Sequence, residues 1–157
     1  MKFKQILFIF LLLHPLLLVG QEIQGKITYV SDGDTYHFVS DENITKMRIR
    51  LSEVDCPETL QEFGLEAKEF VVNRILNKKV LIKVKERDRY GRYVAHIIYD
   101  DDENLAEELL KNGWAWHFKR YSDNDRFSKL EKEARSKKLG LFANEKAIPP
   151  WEFRSKK

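Results

Sequence analysis

The sequence has almost no sulfur and none of the residue groupings that mark common transition-metal sites. Its 157 residues include a single cysteine, Cys56, which excludes an internal disulfide and a cysteine-based zinc site. His37, His96 and His117 are scattered without metal-ligand spacing and are predicted to be surface residues or hydrogen-bonded strand residues. Internal repeats and an interdomain linker are also lacking, so the composition, 43% apolar and 34% charged, predicts one soluble domain.

Long apolar runs are absent except at the N-terminus. Lys2 and Lys4 precede the run Ile6–Val19, which is the pattern of a secretory signal. The run has 14 residues and is short for a membrane span, so residues 1–20 are predicted to be a signal peptide. The protein is then expected to be exported, either secreted or periplasmic.

The predicted cleavage site lies between Gly20 and Gln21. Leu18 is larger than the small residue usually found three positions before such a cut, so an uncleaved membrane anchor stays open as an alternative. After cleavage we expect no stable membrane association.

Basic charge is not in large excess. The chain has 28 basic and 25 acidic residues, and removal of Lys2 and Lys4 with the signal leaves 26 and 25, a net charge of +1. The segment 119–157 is basic, with 12 basic and 6 acidic residues. This excess fits either a solvated helix face with a frayed tail, Arg154–Lys157, or a surface that gathers polyanions.

Alternating apolar and polar residues predict strands in the first two thirds of the chain. In the clearest case Met47, Ile49 and Leu51 fall on one face of a strand, and Arg48 and Arg50 fall on the other. The predicted strands are Gln24–Val30, Thr35–Ser40, Lys46–Ser52, Lys79–Glu86 and Arg92–Tyr99.

Three amphipathic helices are predicted between and after these strands. They are Phe63–Leu76, a helix capped by Asn104 and ended by Gly113, and about Asp123–Lys138. Pro149–Trp151 is predicted to be extended. The element order predicts an α+β domain, a five-stranded barrel with three packed helices, over residues 21–146, followed by an extended tail over 147–157.

Four polar clusters lie at strand ends or on polar strand faces: Asp32–Thr35, the pair Arg48 and Arg50, Asp55–Glu58 and Asp88–Arg92. Each alone has a structural explanation. An Asp-Gly pair is typical of a hairpin in which glycine accepts positive φ, acidic residues favour a helix start, and strand arginines are usually solvated.

Taken together, the clusters indicate phosphodiester chemistry. Asp34, Asp55 and Glu58 are hard oxygen donors with no histidine or cysteine cluster beside them, which favours Ca²⁺ or Mg²⁺. Two arginines from different strands would supply planar, permanent cations suited to phosphate oxygens. A cation, a carboxylate that activates water and guanidinium groups could together hydrolyse a phosphodiester.

These motifs resemble those of the staphylococcal (micrococcal) nuclease or thermonuclease family. The resemblance covers Ile23–Phe142 and rests on Asp32–Thr35, Arg48–Glu58 and Asp88–Arg92 in order and spacing. The ending Pro149–Arg154 also resembles the tail of many exported bacterial members. The resemblance implies an OB-fold barrel with helices.

The resemblance implies a Ca²⁺ site. Asp34 and Asp55 match the family's metal-binding carboxylates, and Cys56 matches a residue that binds the metal through its backbone carbonyl. Cys56 stands where relatives have Thr or Ala, which a carbonyl ligand tolerates. Glu53 stands where relatives usually have an apolar or small residue.

The resemblance also implies catalytic residues and an activity. Glu58 matches the carboxylate usually assigned as general base, and Arg50 and Arg92 match the two catalytic arginines that bind phosphate. The implied activity is Ca²⁺-dependent endonucleolytic hydrolysis of DNA and RNA, with little sequence preference and 3′-phosphate products.

Substrate contacts are implied at Arg89 and Tyr90, which match positions beside the nucleotide, and at Tyr121 as a second aromatic contact. Lys119 replaces a family aromatic and cannot stack. The expected substrates are DNA and RNA, preferably single-stranded, and the protein is expected to be a monomer.

Two other classes of function compete with a nuclease. The first is a non-catalytic OB-fold module that binds nucleic acid or protein, although such modules have usually lost the acidic and arginine positions that this chain keeps. The second is a calcium-binding surface protein, which would leave Arg50 and Arg92 without a role.

Cys56 is not expected to be a nucleophile, because Asp55 and Glu58 beside it should raise its pKa. Trp114 and Trp116 are expected to pack rather than to stack on bases, with stacking left open as an alternative for Trp116.

Overall fold

A computed structural model describes residues 20–100 and 102–156 of the chain. Nearly all of the predicted signal peptide, residues 1–19, lies outside the described residues. Within the described ranges no helix is long and apolar enough to cross a membrane. The strands are β1 (Glu22–Val30), β2 (Thr35–Ser40), β3 (Lys46–Leu51), β4 (Val54–Asp55), β5 (Lys79–Arg87), β6 (Tyr93–Tyr99), β7 (Glu103–Asn104) and β8 (Trp116–His117). The α-helices are α1 (Gly64–Ile75), α2 (Leu105–Lys111), α3 (Asp125–Ser136) and α4 (Pro150–Ser155), with a 3₁₀ turn at Gly140–Ala143.

Five strands close into a barrel. β1 pairs with both β2 and β5, β2 pairs with β3, and β5 pairs with β6, all antiparallel. The ring is closed by a parallel pairing of β3 with β6, in which Ile49 lies opposite Tyr93. The five long strands match the predicted ones to within two residues, and the predicted α+β class with a five-stranded OB-fold barrel is confirmed.

The barrel interior follows from the two-residue period of the strands. Met47, Ile49 and Leu51 are buried as predicted, and they face apolar residues from the other strands. The ladder shifts by one residue near Thr28 in β1 and near Lys85 in β5. Such bulges bend a strand sharply, which a small closed barrel requires.

The helices cover the barrel with narrow apolar stripes. α1 buries Ala67, Val71 and Ile75, which are spaced by four residues. α2 begins as predicted at Asn104, whose side chain accepts hydrogen bonds from two backbone N–H groups of the first turn. The carboxylate of Glu107 accepts two hydrogen bonds from Arg126 of α3, at 2.7 and 2.6 Å, and so links α2 to α3.

The end of the chain differs from the prediction. Residues Pro150–Ser155 form a helix, so the described residues contain four α-helices where three were predicted, and the extended tail is wrong over this segment. Pro149 alone is extended, with φ −72° and ψ 154°. Pro150 occupies the first helical position, where its fixed φ suits a helix and its missing N–H leaves no hydrogen bond unmade.

The three histidines of the described residues have different environments. His37 is exposed, whereas His117 in β8 is buried and its two ring nitrogens lie 2.9 Å from the hydroxyl oxygens of Ser128 and Ser122. His96 lacks a partner for its buried Nδ1 in the described part of the chain, so the expectation of a satisfied side chain fails there. Burial lowers the pKa of His117 below its ordinary value.

We expect the neutral His117 to make the fold sensitive to mild acid. Its folded pKa is lower than its unfolded pKa of about 6.5, so the unfolded chain takes up a proton first as the pH falls. The free energy of unfolding should therefore drop below about pH 6.5, with a slope of at most about 1.4 kcal/mol per pH unit from this group. Urea unfolding of wild type and His117→Gln between pH 8 and pH 5 should show a shallower decline in the variant.

His37→Gln is the matched control, since it makes the same change at an exposed ring. Its pH profile should parallel that of the wild type. Identical profiles for wild type and His117→Gln would show that His117 does not contribute to the acid sensitivity.

Candidate active site

Asp34 is positioned by a close contact between the β1–β2 turn and the chain after β4. Gly33 does not adopt the positive φ that the Asp-Gly pair predicted; a Cβ built on it would lie 2.6 Å from the Cβ of Cys56. Glycine is therefore required for space. The approach lets the Cys56 N–H donate to Asp34 Oδ2 at 2.7 Å. The β2–β3 register pairs Thr35 with Arg50, which brings Asp34 beside that arginine.

Arg50 joins the two predicted metal-binding carboxylates. Its Nη1 lies 3.3 Å from Asp34 Oδ2, and its Nη2 lies 2.9 Å from Asp55 Oδ1. Nη1 also donates to the backbone carbonyls of Leu51, at 2.8 Å, and Val54, at 3.0 Å. The side chain is only 14% exposed, so Arg50 is fixed inside the site and is not the solvated strand residue of the structural explanation.

The carboxyl groups of the site outnumber the arginine side chains that neutralise them. Burial and the nearby Asp34 raise the pKa of Asp32 to about 6. Burial also raises the pKa of Asp55, although hydrogen bonds from Arg154 and the charge of Arg50 act in the opposite direction. Asp32 was not among the residues assigned a role from the sequence, and its contribution depends on packing against Asp34 that the sequence does not display.

A second arginine, Arg154 of α4, completes the cluster. Its Nη1 donates to Glu58 Oε1 at 2.7 Å, and its Nη2 donates to Asp55 Oδ2 at 2.7 Å. The explanation of residues 154–157 as a frayed tail is therefore wrong for Arg154. The ending that includes Arg154 resembled exported family members, but a contact across 96 residues with Glu58 has no local sequence signal.

The donor set of this cluster fits a hard divalent cation. Asp34 and Asp55 converge on one guanidinium group, and with Asp32 and Glu58 four carboxyl groups face the two guanidinium groups of the cluster. An excess of carboxylate oxygen favours Ca²⁺ or Mg²⁺.

A metal bound there would rely on few side chains. Among the described residues no three His, Cys, Asp or Glu side chains are arranged as a metal site. The predicted ligands are two carboxylates, Asp34 and Asp55, and the backbone carbonyl of Cys56, and this assignment stays a prediction. Burial, with Asp34 adding to it, raises the pKa of the Cys56 thiol well above its ordinary value, so the thiol stays neutral and Cys56 is not a reactive nucleophile.

Arg92, the second predicted catalytic arginine, is held by Asp88. The Asp88 carboxylate accepts from the Arg92 backbone N–H at 2.9 Å and from Nε at 2.7 Å. Burial alone would raise the pKa of Asp88, but these contacts with Arg92 outweigh it, and the pKa is lowered. In the described part of the chain no hydrogen bond or ion pair links Arg92 to the cluster around Asp55, so the structure orients Arg92 without joining it to the carboxylates.

The predicted substrate contacts lie at the surface. Arg89 donates to the Tyr90 hydroxyl at 2.8 Å, and the Tyr90 ring is 62% exposed. Arg92 lies 5.6 Å from the centre of that ring, so Tyr90 borders the predicted catalytic arginine. Tyr121 is 64% exposed and contacts the edge of Phe118, with ring centres 5.0 Å apart. Their contact with substrate stays a prediction.

Both tryptophans near the third quarter of the chain pack as expected. Trp116 is buried edge-on against Phe142, and Trp114 contacts Phe70.

Glu53 contacts Lys85 at 2.8 Å and His96 at 3.7 Å, which assigns it to an ion-pair group on β5 and β6.

The sequence is similar to that of known nuclease homologues, in agreement with the OB-fold barrel. The family model described as Staphylococcal nuclease homologue matches residues 48–144. An uncharacterized endonuclease of Escherichia coli is 31% identical over 136 residues, which cover 87% of this chain and 88% of the relative. A protein of Oryza sativa subsp. japonica described as a probable staphylococcal-like nuclease is 40% identical over 112 residues, or 71% of this chain and 34% of the relative.

The chain belongs to the family of staphylococcal nuclease homologues. It spans about a third of the length of the plant relatives with which it shares 40% identity. The family match begins at Arg48 and includes Arg50, the Asp55–Glu58 loop and Arg92, whereas Arg154 lies beyond its last residue.

We expect the start of α1 to control the position of Glu58. A Cβ on Gly64 would lie 1.9 Å from the Glu58 carbonyl oxygen, a backbone atom that cannot rotate away. Gly64→Ala should therefore displace the Glu58 loop and lower the free energy of unfolding by about 1–3 kcal/mol in urea titrations. Leu65→Ala, at the exposed next position, should change stability by less than about 0.5 kcal/mol. A Gly64→Ala protein as stable as Leu65→Ala would contradict this packing.

Proposed function

We propose that this chain is an exported endonuclease that hydrolyses DNA and RNA with little sequence preference, requires Ca²⁺ and leaves 3′-phosphate ends. Single-stranded nucleic acid is the preferred substrate and the enzyme acts as a monomer. Export rests on the apolar run Ile6–Val19 behind Lys2 and Lys4. The nuclease activity rests on the family and on the site.

The observation that carries this proposal is the convergence of Asp34 and Asp55 on the guanidinium of Arg50, with Glu58 joined to the same cluster through Arg154. Carboxylate oxygens, a buried permanent cation and a more exposed carboxylate then lie at one end of the barrel. This arrangement has the groups needed for attack on a phosphodiester.

Each residue has a role that its contacts allow. Asp34, Asp55 and the Cys56 carbonyl would hold Ca²⁺, which when bound would neutralise charge on the phosphate. Arg50 donates three hydrogen bonds and forms an ion pair with Asp34, which leaves its Nε–H and one Nη2 hydrogen without a described partner and available to a phosphate oxygen. Although burial works against its charge, Asp34 and Asp55 raise the pKa of Arg50, so it stays a cation.

Glu58 is the residue best placed to act as a base. Its side chain is 34% exposed, whereas that of Asp55 is 1% exposed, so Glu58 can meet a water molecule. In the proposed step Glu58 accepts a proton as the water oxygen bonds to phosphorus, and the bond from phosphorus to the 5′ oxygen breaks. Arg92, held by Asp88, would donate to phosphate oxygens as charge develops on them.

Metal dependence is tested by digestion on a gel. Residues 21–157 should degrade single-stranded DNA and RNA in the presence of Ca²⁺ and lose this activity when a chelator is in excess, because the carboxylate cluster would lose its cation. Retarded but intact nucleic acid would favour a non-catalytic OB-fold module. Full digestion in excess chelator would exclude the Ca²⁺-dependent mechanism.

Glu58 and Arg92 should be separable by steady-state kinetics. Glu58→Gln removes the proton acceptor but keeps the shape, so we expect kcat to fall about 100-fold or more with little change in KM. Arg92→Ala should damage both kcat and KM because it removes a phosphate contact in the ground state and the transition state. Glu66→Gln, an exposed acidic position in the first turn of α1, is the control. A Glu58→Gln enzyme with wild-type kcat would remove Glu58 from the mechanism.

A further inference from the structure

The chain after α3 returns to the site, and contacts besides those of Arg154 hold it there. Gln61, in the loop between β4 and α1, donates from Nε2 to the carbonyl of Ile148 at 2.7 Å. The Trp151 ring stacks on Phe118, with ring centres 5.5 Å apart and planes inclined by 6°. These contacts place α4 beside the carboxylates, so the position of Arg154 is set by the fold.

Arg154 occupies both oxygens of Asp55, one of the predicted cation ligands. Asp55 Oδ1 is bound by Arg50 at 2.9 Å and by Arg154 at 3.3 Å, and Asp55 Oδ2 is bound by Arg154 at 2.7 Å. The Asp55 side chain is 1% exposed, so it has no free face toward solvent. A cation could coordinate Oδ2 of Asp55 only after Arg154 has moved.

The two arginines differ in how easily they could move. Arg50 is 14% exposed and is also held by two backbone carbonyls, whereas the Arg154 side chain is 42% exposed. Moving a partly exposed guanidinium away from its partners costs less than moving a buried one, because water already screens its charge, whereas the buried one leaves buried groups unpaired. Arg154 is thus the exchangeable partner of Asp55, and Arg50 is the fixed one.

Resting on the proposed function, we propose that Arg154 is a built-in counter-ion of the cation site: it competes with the divalent cation for Asp55 and so sets the cation concentration at which the site fills. The exchange replaces one positive charge on the carboxylates by two. It also frees the Glu58 carboxylate, whose Oε1 otherwise accepts a hydrogen bond from Arg154. Cation binding and release of the proton acceptor are then coupled in a single exchange.

The competition is tested by calorimetric titration of Ca²⁺ into chelator-treated protein of residues 21–157. Arg154→Gln should bind Ca²⁺ roughly fivefold more tightly than wild type, because the cation no longer displaces a partly exposed ion pair. Arg154→Lys keeps the charge with fewer hydrogen bonds and should give an intermediate affinity. Lys156→Gln removes the same charge two residues away on an exposed side chain and should leave the affinity within about twofold of wild type.

The sign of the change separates competition from a purely structural role. If Arg154 only held the carboxylates in place, Arg154→Gln would loosen the site and weaken Ca²⁺ binding. Circular dichroism of each variant without Ca²⁺ shows whether it is folded, and Arg154→Lys provides the same comparison should the glutamine variant unfold.

The outcomes distinguish this competition from the proposed nuclease. Equal or weaker Ca²⁺ binding by both Arg154 variants, with measurable wild-type binding, would overturn the role of Arg154 and leave the nuclease intact. No heat of Ca²⁺ binding in any variant would overturn the competition, and the gel with its chelator control would then show independently whether the chain is a nuclease.

Discussion

The site depends on the pairing of the Arg50 guanidinium with two carboxylates, Asp34 and Asp55. Arg50 lies on β3, reaches Asp34 at the start of β2 and Asp55 in β4, and binds two carbonyls of the chain between them. Without that guanidinium two largely buried carboxylates would face each other, an arrangement that costs several kcal/mol unless one takes up a proton. The register of β2 with β3 and the contact of Gly33 with Cys56 bring the acids together, and Arg50 makes that proximity stable.

The charges around this site compensate for an excess of carboxyl groups over guanidinium groups. The pKa of Asp32 is raised, and Asp55 and Glu58 form ion pairs with a second guanidinium group, that of Arg154 in α4. Asp88 and Arg92, on the β5–β6 side, instead form a self-contained pair. The molecule therefore separates an acidic cluster, whose carboxylates share the guanidinium groups of Arg50 and Arg154, from Arg92, which pairs with Asp88.

Local pattern was enough to predict the barrel and its motifs. The alternation of Met47, Ile49 and Leu51 depends only on the two-residue period of a strand, and the Asn104 cap depends on neighbours within three residues. The closeness of Asp34 and Asp55 was predicted through the family resemblance. The reason for Gly33 and the role of Arg154 were not predictable, because each is a contact with a distant segment that leaves no periodic or local signal.

The position of Arg154 in the chain has a consequence for the order in which the site is assembled. Asp55 and Glu58 are synthesised almost a hundred residues before their counter-charge, since 96 positions separate Glu58 from Arg154. The acidic loop therefore exists without that partner for most of the synthesis of the chain. Loss of α4, which contributes little to the barrel interior, would change the electrostatics of the carboxylate cluster. This helix is in this sense a part of the site.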